Sequence, residues 1–377
     1  MSKVEPYLKL MAEKGASDLF FSTGAPVSIK IEGRIHPINK QDLLKPGQVQ
    51  EIADSMMNEE QQGLFAKELE MNLAVAMSNI GRFRVNIFRQ RGEAAMVIRY
   101  IKSEIPKVSD LNLPPILNKL IMAKRGLILM VGATGSGKST SLAAMIDHRN
   151  ETMSGHILTI EDPIEFIYKH KKSIVNQREI GIDSLSYHNA LKEAMREAPD
   201  MILIGEIRDK ATMEHDVSYA ETGHLCLSTL HANNANQALD RIINFFQPDQ
   251  RDQLFLDLSL NLQCIISQRL VVSVDGSRMP AVEIMINTPH IKELIKKAEV
   301  GEIKEVMEKT ANEKNGMQTF DTSLYNFYKD GKISLEEALN NADSKSNLEW
   351  KINFGGGTGG DQSSSESEDL VLPSDIG

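Results

Sequence analysis

Hydrophobic residues in the first hundred positions recur with two different spacings. Leu8, Leu10 and Met11 fall on one side of an amphipathic opening helix, and a second helical pattern covers residues 48–68. Short extended runs lie between and after these helices, at residues 18–22, 27–32, 82–88 and 94–101. The mixture predicts a small α+β domain over residues 1–103.

A segment that contains three prolines follows this first domain. Pro106, Pro114 and Pro115 lie close together, and proline disfavours a continuous helix because it lacks the backbone N–H and restricts φ. Residues 104–115 are therefore predicted to be a linker or hinge between two domains.

Beyond the linker, nearly unbroken apolar runs of strand length alternate with helical patterns. Four runs have this character, at residues 127–131, 157–160, 201–204 and 225–230. Continuous apolar strands are typical of a parallel sheet that helices cover on both faces, because neither face meets water. Residues 116–287 are therefore predicted to form an α/β domain.

Two segments of different composition follow the α/β domain. Residues 288–350 carry apolar side chains at helical spacing, which predicts a C-terminal helical subdomain. Residues 351–377 contain GGGTGG and SSSESED, with five acidic residues against one lysine. Such a segment buries too little apolar surface to order itself, so we predict a disordered acidic tail, with a partner motif at its LVLP segment as the alternative.

The charge balance and the cysteine content exclude several classes of protein. The chain has 377 residues, with 42 Lys and Arg against 52 Asp and Glu, a formal net charge of -10. This balance argues against a general polyanion-binding surface and leaves a local basic patch open. Cys226 and Cys264 lack the spacing of a disulfide scaffold or a zinc site. Since no run approaches about 18 apolar residues, we expect a cytoplasmic protein with no integral membrane segment.

The strongest chemical signal is the motif GATGSGKS at residues 132–139, which matches G-x-x-x-x-G-K-[ST] between a strand and a helix. Such a loop turns backbone N–H groups toward nucleotide phosphates, its lysine neutralises the β- and γ-oxygens, and its hydroxyl binds Mg²⁺. The motif predicts ATP and Mg²⁺ as cofactors, with Ser139 as a metal ligand. The candidate nucleotide-binding residues here are Gly132, Thr134, Gly135, Ser136, Gly137, Lys138, Ser139 and Thr140.

Acidic residues follow two strands of the predicted sheet. Glu161 follows the run at residues 157–160, and Glu206 follows the run at residues 201–204 with Gly205 between them. The carboxyl ends of parallel strands meet at one edge of a sheet, so both side chains are expected to face the P-loop. We predict that Glu206 acts on Mg²⁺ through water and that Glu161 is the general base or orients the water; a helix-capping role is the alternative for either acid.

Two histidines, His224 and His231, bracket the apolar run at residues 225–230. A single histidine is more often structural than functional. His231, however, follows a strand predicted to lie beside the one that leads to Glu206, a position from which it can sense the γ-phosphate. His231 is therefore a catalytic candidate, and His224 a structural one.

Arginines occupy one side of a strand in the first domain. Alternation along residues 81–88 places Val85 and Ile87 on one face and Arg84 on the other. Arg99 is a second arginine within an extended run of this domain. Two interpretations stay open. These arginines are solvated surface charge, or they contact nucleotide phosphates across the cleft between the domains.

The order of P-loop, EDP box, GE strand and two-histidine box resembles the secretion ATPases of type IV pilus and type II secretion machines, over about residues 1–350. TGHLCLSTLHANNANQALDR at residues 222–241 and GMQTFD at residues 316–321 resemble the PilU branch of the PilT/PilU pilus retraction ATPases. The resemblance implies an α/β protein: a PAS-like N-terminal domain, then a RecA-like P-loop ATPase domain with a C-terminal helical subdomain.

The same resemblance implies roles and partners. It gives the catalytic role to Glu161, the Walker B role to Glu206 and phosphate contacts to Arg84 and Arg99. It further implies a homohexamer that hydrolyses ATP as a pilus motor, peripheral at the inner membrane beneath the platform protein of the pilus machine.

One departure from the family pattern bears on function. PilT members carry AIRNLI after the ATPase core, whereas this chain has HIKELI at residues 290–295. The departure favours an accessory retraction ATPase that acts with a PilT-type ATPase. The acidic tail also lies outside the family pattern.

Two other functions stay open from sequence alone. A nucleic-acid translocase is one, since RecA-like hexamers also move DNA, but the net charge of -10 and the lack of a basic-aromatic track weigh against a nucleic-acid partner. A non-catalytic coupling subunit that binds ATP is the other. The presence of Lys138, Ser139, Glu161 and Glu206 weighs against an inactive site.

Overall fold

An antiparallel sheet of six strands forms the N-terminal part of the computed structural model, which describes residues 3–31, 33–77, 80–101, 104–310 and 316–354. The strand order is β3-β2-β1-β6-β5-β4. The strands are β1 Asp18–Ser22, β2 Ser28–Ile31, β3 Arg34–Pro37, β4 Glu70–Met77, β5 Gly81–Gln90 and β6 Glu93–Ile101, and the helices are α1 Glu5–Glu13, α2 Gln48–Asp54 and α3 Glu59–Glu68. The predicted α+β class of this part is confirmed.

Alternation along β5 determines what each face of this sheet contacts. Phe83, Val85 and Ile87 are fully buried against the helices, whereas Arg84 lies on the opposite face. Arg84 pairs in register with Arg99 of β6. The two arginines therefore lie side by side, as the strand period predicts.

The helix predicted over residues 48–68 is two helices. The break falls at Asn58, which caps the N-terminus of α3. The Asn58 side chain accepts a hydrogen bond from the Gln61 N–H, and the Gln61 side chain accepts one from the Asn58 N–H. This reciprocal pair is a capping box, and it starts a new helix. The sequence prediction also omitted β3 and β4. β3 is short, mostly exposed and ends at Pro37, and β4 is an edge strand in which alanine and methionine replace the usual β-branched residues.

The predicted linker packs against the second domain. Residues 104–115 contain no helix or strand. Val108 and Leu113 are nevertheless buried in an apolar cluster with Ile128 and Met130 of the second sheet. The segment is thus anchored to the second domain.

The second sheet has seven strands in the order β13-β12-β7-β11-β10-β8-β9, all parallel to their neighbours except β13. The strands are β7 Gly126–Val131, β8 Gly155–Glu161, β9 Ser173–Glu179, β10 Met201–Ile204, β11 Leu225–Leu230, β12 Leu262–Val272 and β13 Arg278–Ile286. The accompanying helices are α4 Ile116–Leu120, α5 Lys138–Thr152, α6 Tyr187–Ala194, α7 Lys210–Glu221, α8 Ala235–Asn244 and α9 Arg251–Asn261.

Helices cover both faces of this sheet. Along β7, Leu129 packs in one apolar cluster and Ile128 and Met130 pack in the cluster on the other face, all fully buried. The predicted parallel, doubly covered sheet is confirmed. The sequence prediction omitted β9, β12 and β13. Gln268 and Arg269 interrupt the apolar pattern of β12, although this strand lies inside the sheet, whereas β9 and β13 are its two edge strands.

The C-terminal region is helical, as predicted. Its helices are α10 Pro289–Lys296, α11 Ile303–Thr310, α12 Phe320–Lys329, α13 Leu335–Asn341 and α14 Lys345–Phe354. The last helix continues past residue 351, where the tail was predicted to begin, because Leu348 is buried and the Lys351 ammonium lies 5.0 Å from the ring centre of Tyr325. The predicted tail from residue 355 onward lies outside the described residues.

Within the part of the chain that the structure describes, no helix combines the length and the apolar character needed to cross a membrane.

Candidate active site

A cleft of about 750 Å³ opens at the carboxyl ends of β7, β8, β10 and β11. Its lining includes P-loop residues, Glu161, Glu206 and His231. These residues lie far apart in sequence and meet because parallel strands present their carboxyl ends at the same sheet edge. The four candidate groups are thus assembled in one place.

The P-loop joins β7 to α5 in a conformation that requires glycine. Gly132 and Gly137 have φ of 154° and 87°, and Gly137 caps the N-terminus of α5. A Cβ at Gly132 would lie 2.5 Å from the carbonyl oxygen of Gln268. The loop therefore packs closely on β12, with the helix N-terminus and its free N–H groups at the cleft.

Lys138 begins α5 and folds back on the loop. Its Nζ donates hydrogen bonds to the carbonyl oxygens of Gly132 at 2.7 Å and Ala133 at 2.9 Å. Burial lowers the pKa of the ammonium, and the nearby charges of Glu206 and Glu165 act in the opposite direction. A buried cation next to the helix N-terminus favours an anionic ligand here.

Glu161 ends β8, and its neighbours hold it in one orientation. The Thr159 hydroxyl donates to its Oε1 at 2.6 Å, and Gln177 Nε2 donates to the same oxygen at 3.3 Å. Burial raises the pKa of Glu161 to about 7, and both hydrogen bonds act against this shift. A carboxyl group with a pKa near neutrality suits proton transfer from water.

Glu206 follows β10 and uses both of its oxygens. His231 Nε2 lies 3.0 Å from Glu206 Oε1, and Arg208 Nε donates to Oε2 at 2.8 Å. His231 itself follows β11, which pairs with β10 as expected from the sequence. Glu206 and His231 are therefore a direct pair, a contact that the sequence did not predict.

Glu165 lies closer to the P-loop than its place in the sequence suggests. Its Oε1 accepts a hydrogen bond from the Ser139 hydroxyl at 2.9 Å, and the side chain is exposed in the cleft. Both Glu161 and Glu165 thus stand near the expected phosphate site. The peptide between Asp162 and Pro163 is cis.

The remaining candidates lie outside the cleft. His224 is at the amino end of β11, where its Nδ1 lies 3.2 Å from the carbonyl oxygen of Tyr219. Arg99 Nε donates to Asp18 Oδ1 at 2.8 Å within the first domain. Arg84 Nε lies 3.9 Å from Glu179 Oε1 at the end of β9.

The arginine positions nevertheless bear on the cleft. Glu179 pairs in register with Glu161 across β8 and β9. Arg84 is therefore held one strand away from the candidate base by an ion pair between the two domains.

A family model described as type II/IV secretion system protein matches residues 2–285, which include every site residue described above. The chain belongs to this family. It is 50% identical to the type IV pilus ATPase PilU of Pseudomonas aeruginosa, over 98% of this chain and 96% of that protein. It is 40% identical to the pilus ATPase PilT of the same organism, over 89% of this chain and 96% of that protein.

Solved structures agree with this family. The crystal structure of the pilus retraction motor PilT with bound ADP superposes with a TM-score of 0.84 at 41% identity, covering 91% of this chain and 98% of that one. The ATPase DotB of Legionella pneumophila superposes with a TM-score of 0.76 at 25% identity, covering 90% and 93%. The predicted PilT/PilU family and two-domain fold are confirmed, and this family member is an ATPase.

Proposed function

We propose that this ATPase is a motor of the type IV pilus machinery that drives pilus retraction as an accessory, PilU-like subunit. The observation that carries the proposal is the single cleft that unites the P-loop with Glu161, Glu206 and His231, in a chain 50% identical to PilU over 98% of its length.

Nucleotide binding is assigned to the P-loop side of the cleft. The backbone N–H groups at the start of α5 and the ammonium of Lys138 face ATP phosphates, with Ser139 and Thr140 beside them. The lining of the cleft also includes the apolar residues Leu111, Leu270 and Pro280, which suit the base. Leu111 belongs to the linker, so nucleotide binding there engages the segment between the domains.

The donor set also fits Mg²⁺, which prefers oxygen ligands. Ser139 Oγ would hold the ion, with the carboxylate of Glu206 acting through water. Bound there, the ion would neutralise charge on the β- and γ-phosphates. The hydrogen bond from the Ser139 hydroxyl to Glu165 is compatible with this role, because it uses the hydroxyl proton and leaves the oxygen lone pairs for the ion.

We assign water activation to Glu161. Thr159 and Gln177 fix the carboxylate, so that it can orient a water molecule and accept its proton. His231 holds Glu206 on the other side of the cleft and is placed to respond to loss of the γ-phosphate. These three groups carry separate parts of the hydrolysis cycle.

Arg84 and Arg99 are proposed to reach phosphates when the domains close. Arg84 already bridges to the second domain next to Glu161, and exchange of Glu179 for a phosphate would give its guanidinium another anionic partner. Such a site is completed by domain motion around a ring, and we therefore propose a homohexamer.

The surface of α10 supports the accessory role. The apolar residues of HIKELI that match AIRNLI, Ile291, Leu294 and Ile295, are buried. The positions that differ, His290, Lys292 and Glu293, are exposed or half-exposed. The departure therefore changes the surface of this helix while its packing is retained. We propose that the chain acts beside a PilT-type ATPase beneath the platform protein at the inner membrane.

The proposal is tested first on the purified protein. Lys138→Ala is expected to abolish nucleotide binding, whereas Glu161→Gln is expected to retain binding and lose turnover. If Glu161→Gln hydrolyses ATP at the normal rate, Glu165 becomes the candidate for the general base. Glu165→Gln is the matched variant that tests it. Light scattering that shows a monomer at micromolar concentration with and without ATP would refute the ring.

Cells test the pilus role. Cells that lack the PilT-type partner but contain this protein are expected to be hyperpiliated and unable to retract. With a partner whose ATP site is inactive, retraction should persist and should vanish on Lys138→Ala in this chain. Retraction without the partner would refute the accessory role. Hydrolysis stimulated by single-stranded DNA at low salt would instead favour the translocase, which nothing in the described residues favours.

A further inference from the structure

Gln268 is a buried polar residue in the middle of the second sheet. It is 3% exposed and lies on β12, between β7 and β13. A buried amide must have hydrogen-bond partners, because an unpaired one costs free energy that the fold has to offset. Both side-chain partners of Gln268, Ser136 and Ser141, lie at the nucleotide site.

The two ends of the Gln268 amide bind the two sides of the P-loop region. Nε2 donates to the carbonyl oxygen of Ser136 at 2.7 Å. Oε1 accepts from the hydroxyl of Ser141, on the first turn of α5, at 2.7 Å. The Ser136 carbonyl can only accept, so the NH₂ group must face the loop, and the Ser141 hydroxyl then donates to the amide oxygen and holds it in place.

The bond to the Ser136 carbonyl also determines where the next N–H points. The peptide between Ser136 and Gly137 is trans, and in a trans peptide the C=O and the following N–H point in opposite directions. With the carbonyl turned toward Gln268, the Gly137 N–H points away from Gln268, and Gly137 lines the nucleotide cleft.

Close packing leaves little freedom for this arrangement. A Cβ added at Gly137 would lie 2.8 Å from Gln268 Nε2. On the other face of β12, Ser267 donates to buried Glu283 at 3.0 Å, and Arg269 pairs with Asp343 at 2.9 Å. The strand that carries Gln268 is thus held from both sides.

The geometry points to Gln268 as a positioning residue that sets the P-loop for phosphate binding by fixing the Ser136–Gly137 peptide. The inference rests on the nucleotide site of the proposed function and adds to it a residue from a strand that carries no motif. It acts through the backbone of the loop, and its side chain also borders the cleft.

The test is the dissociation constant for Mg-ADP, measured with a fluorescent ADP analogue, together with the melting temperature of the nucleotide-free protein. Gln268→Met keeps the length and loses both hydrogen bonds. We expect its dissociation constant to rise about ten-fold or more, as for loss of one hydrogen bond to a charged group. Gln263→Met is the matched control, since Gln263 lies on the same strand and donates to the Arg125 carbonyl at 3.2 Å, at the opposite edge of the sheet. We expect its affinity to stay within about two-fold of wild type.

Ser141 variants decide the question if Gln268→Met does not fold. Ser141→Ala removes the hydroxyl that holds the amide oxygen and is expected to weaken ADP binding several-fold, whereas Ser141→Thr keeps the hydroxyl and restores affinity. A lower melting temperature with unchanged affinity in Gln268→Met, or unchanged affinity in Ser141→Ala, would overturn the inference. Failure of wild-type protein to bind ADP would instead refute the proposed nucleotide site.

Discussion

The burial of Glu161 predicts how the free energy of unfolding depends on pH, and this can be measured without an activity assay. Burial raises its pKa from 4.5 to about 7, a difference of roughly 2.5 units, and each unit corresponds to about 1.36 kcal/mol. The ionised side chain therefore lowers the stability of the folded state by about 3 kcal/mol. A glutamine at this position has the same shape and no charge.

The pH dependence has a definite sign. The folded state binds the Glu161 proton more tightly than the unfolded state, so this group's contribution to the free energy of unfolding falls as pH rises from about 4.5 to about 7 and is level above that. We expect Glu161→Gln to match wild type near pH 4.5 and to be more stable by about 3 kcal/mol at pH 8.

Urea unfolding of the nucleotide-free protein at pH 5, 6, 7 and 8 measures this difference. Glu165→Gln is the control, because it removes an exposed carboxylate from the same cleft, and we expect its effect to stay within about 0.5 kcal/mol. A difference between Glu161→Gln and wild type that does not change with pH would refute the reasoning, as would a less stable variant at pH 8. Either result would mean that the folded site does not disfavour the charge.

Three further predictions follow from the site. Turnover at saturating ATP should rise with pH through about 7, because the base must be ionised; a flat pH–rate profile between pH 6 and 8 would contradict this. His231→Ala should lower kcat about ten-fold with little change in ADP affinity, since its partner Glu206 loses a contact while the P-loop is intact; equal loss of both would argue for a structural role. Gly205→Ala should reduce turnover at least ten-fold. The added Cβ would lie 2.9 Å from the Tyr187 hydroxyl and 3.3 Å from Glu161 Cα, and would therefore displace the base. A wild-type kcat in this variant would show that the base has room to shift.

The C-terminal edge of the sheet shows what local sequence determines. The P-loop is a strand, a turn and a helix N-terminus in one continuous segment, so its residues and their chemistry follow from residues 127–152 alone. The apolar runs of β7, β8, β10 and β11 are also local, because strands covered on both faces require apolar side chains at every position. With the parallel-sheet rule, these segments were sufficient to place Glu161, Glu206 and His231 at one edge.

Only the tertiary structure decided the contacts between distant segments. Gln268 reaches Ser141 across 127 positions because β12 lies next to β7 in the sheet, and its polar side chain interrupts the apolar pattern of that strand. Glu165 meets Ser139, and Arg84 meets Glu179, for the same kind of reason. The spacing of hydrophobic residues specifies which helices and strands form, because burial of apolar surface depends on local spacing. The pairing of polar groups depends instead on strand order and on how the domains pack.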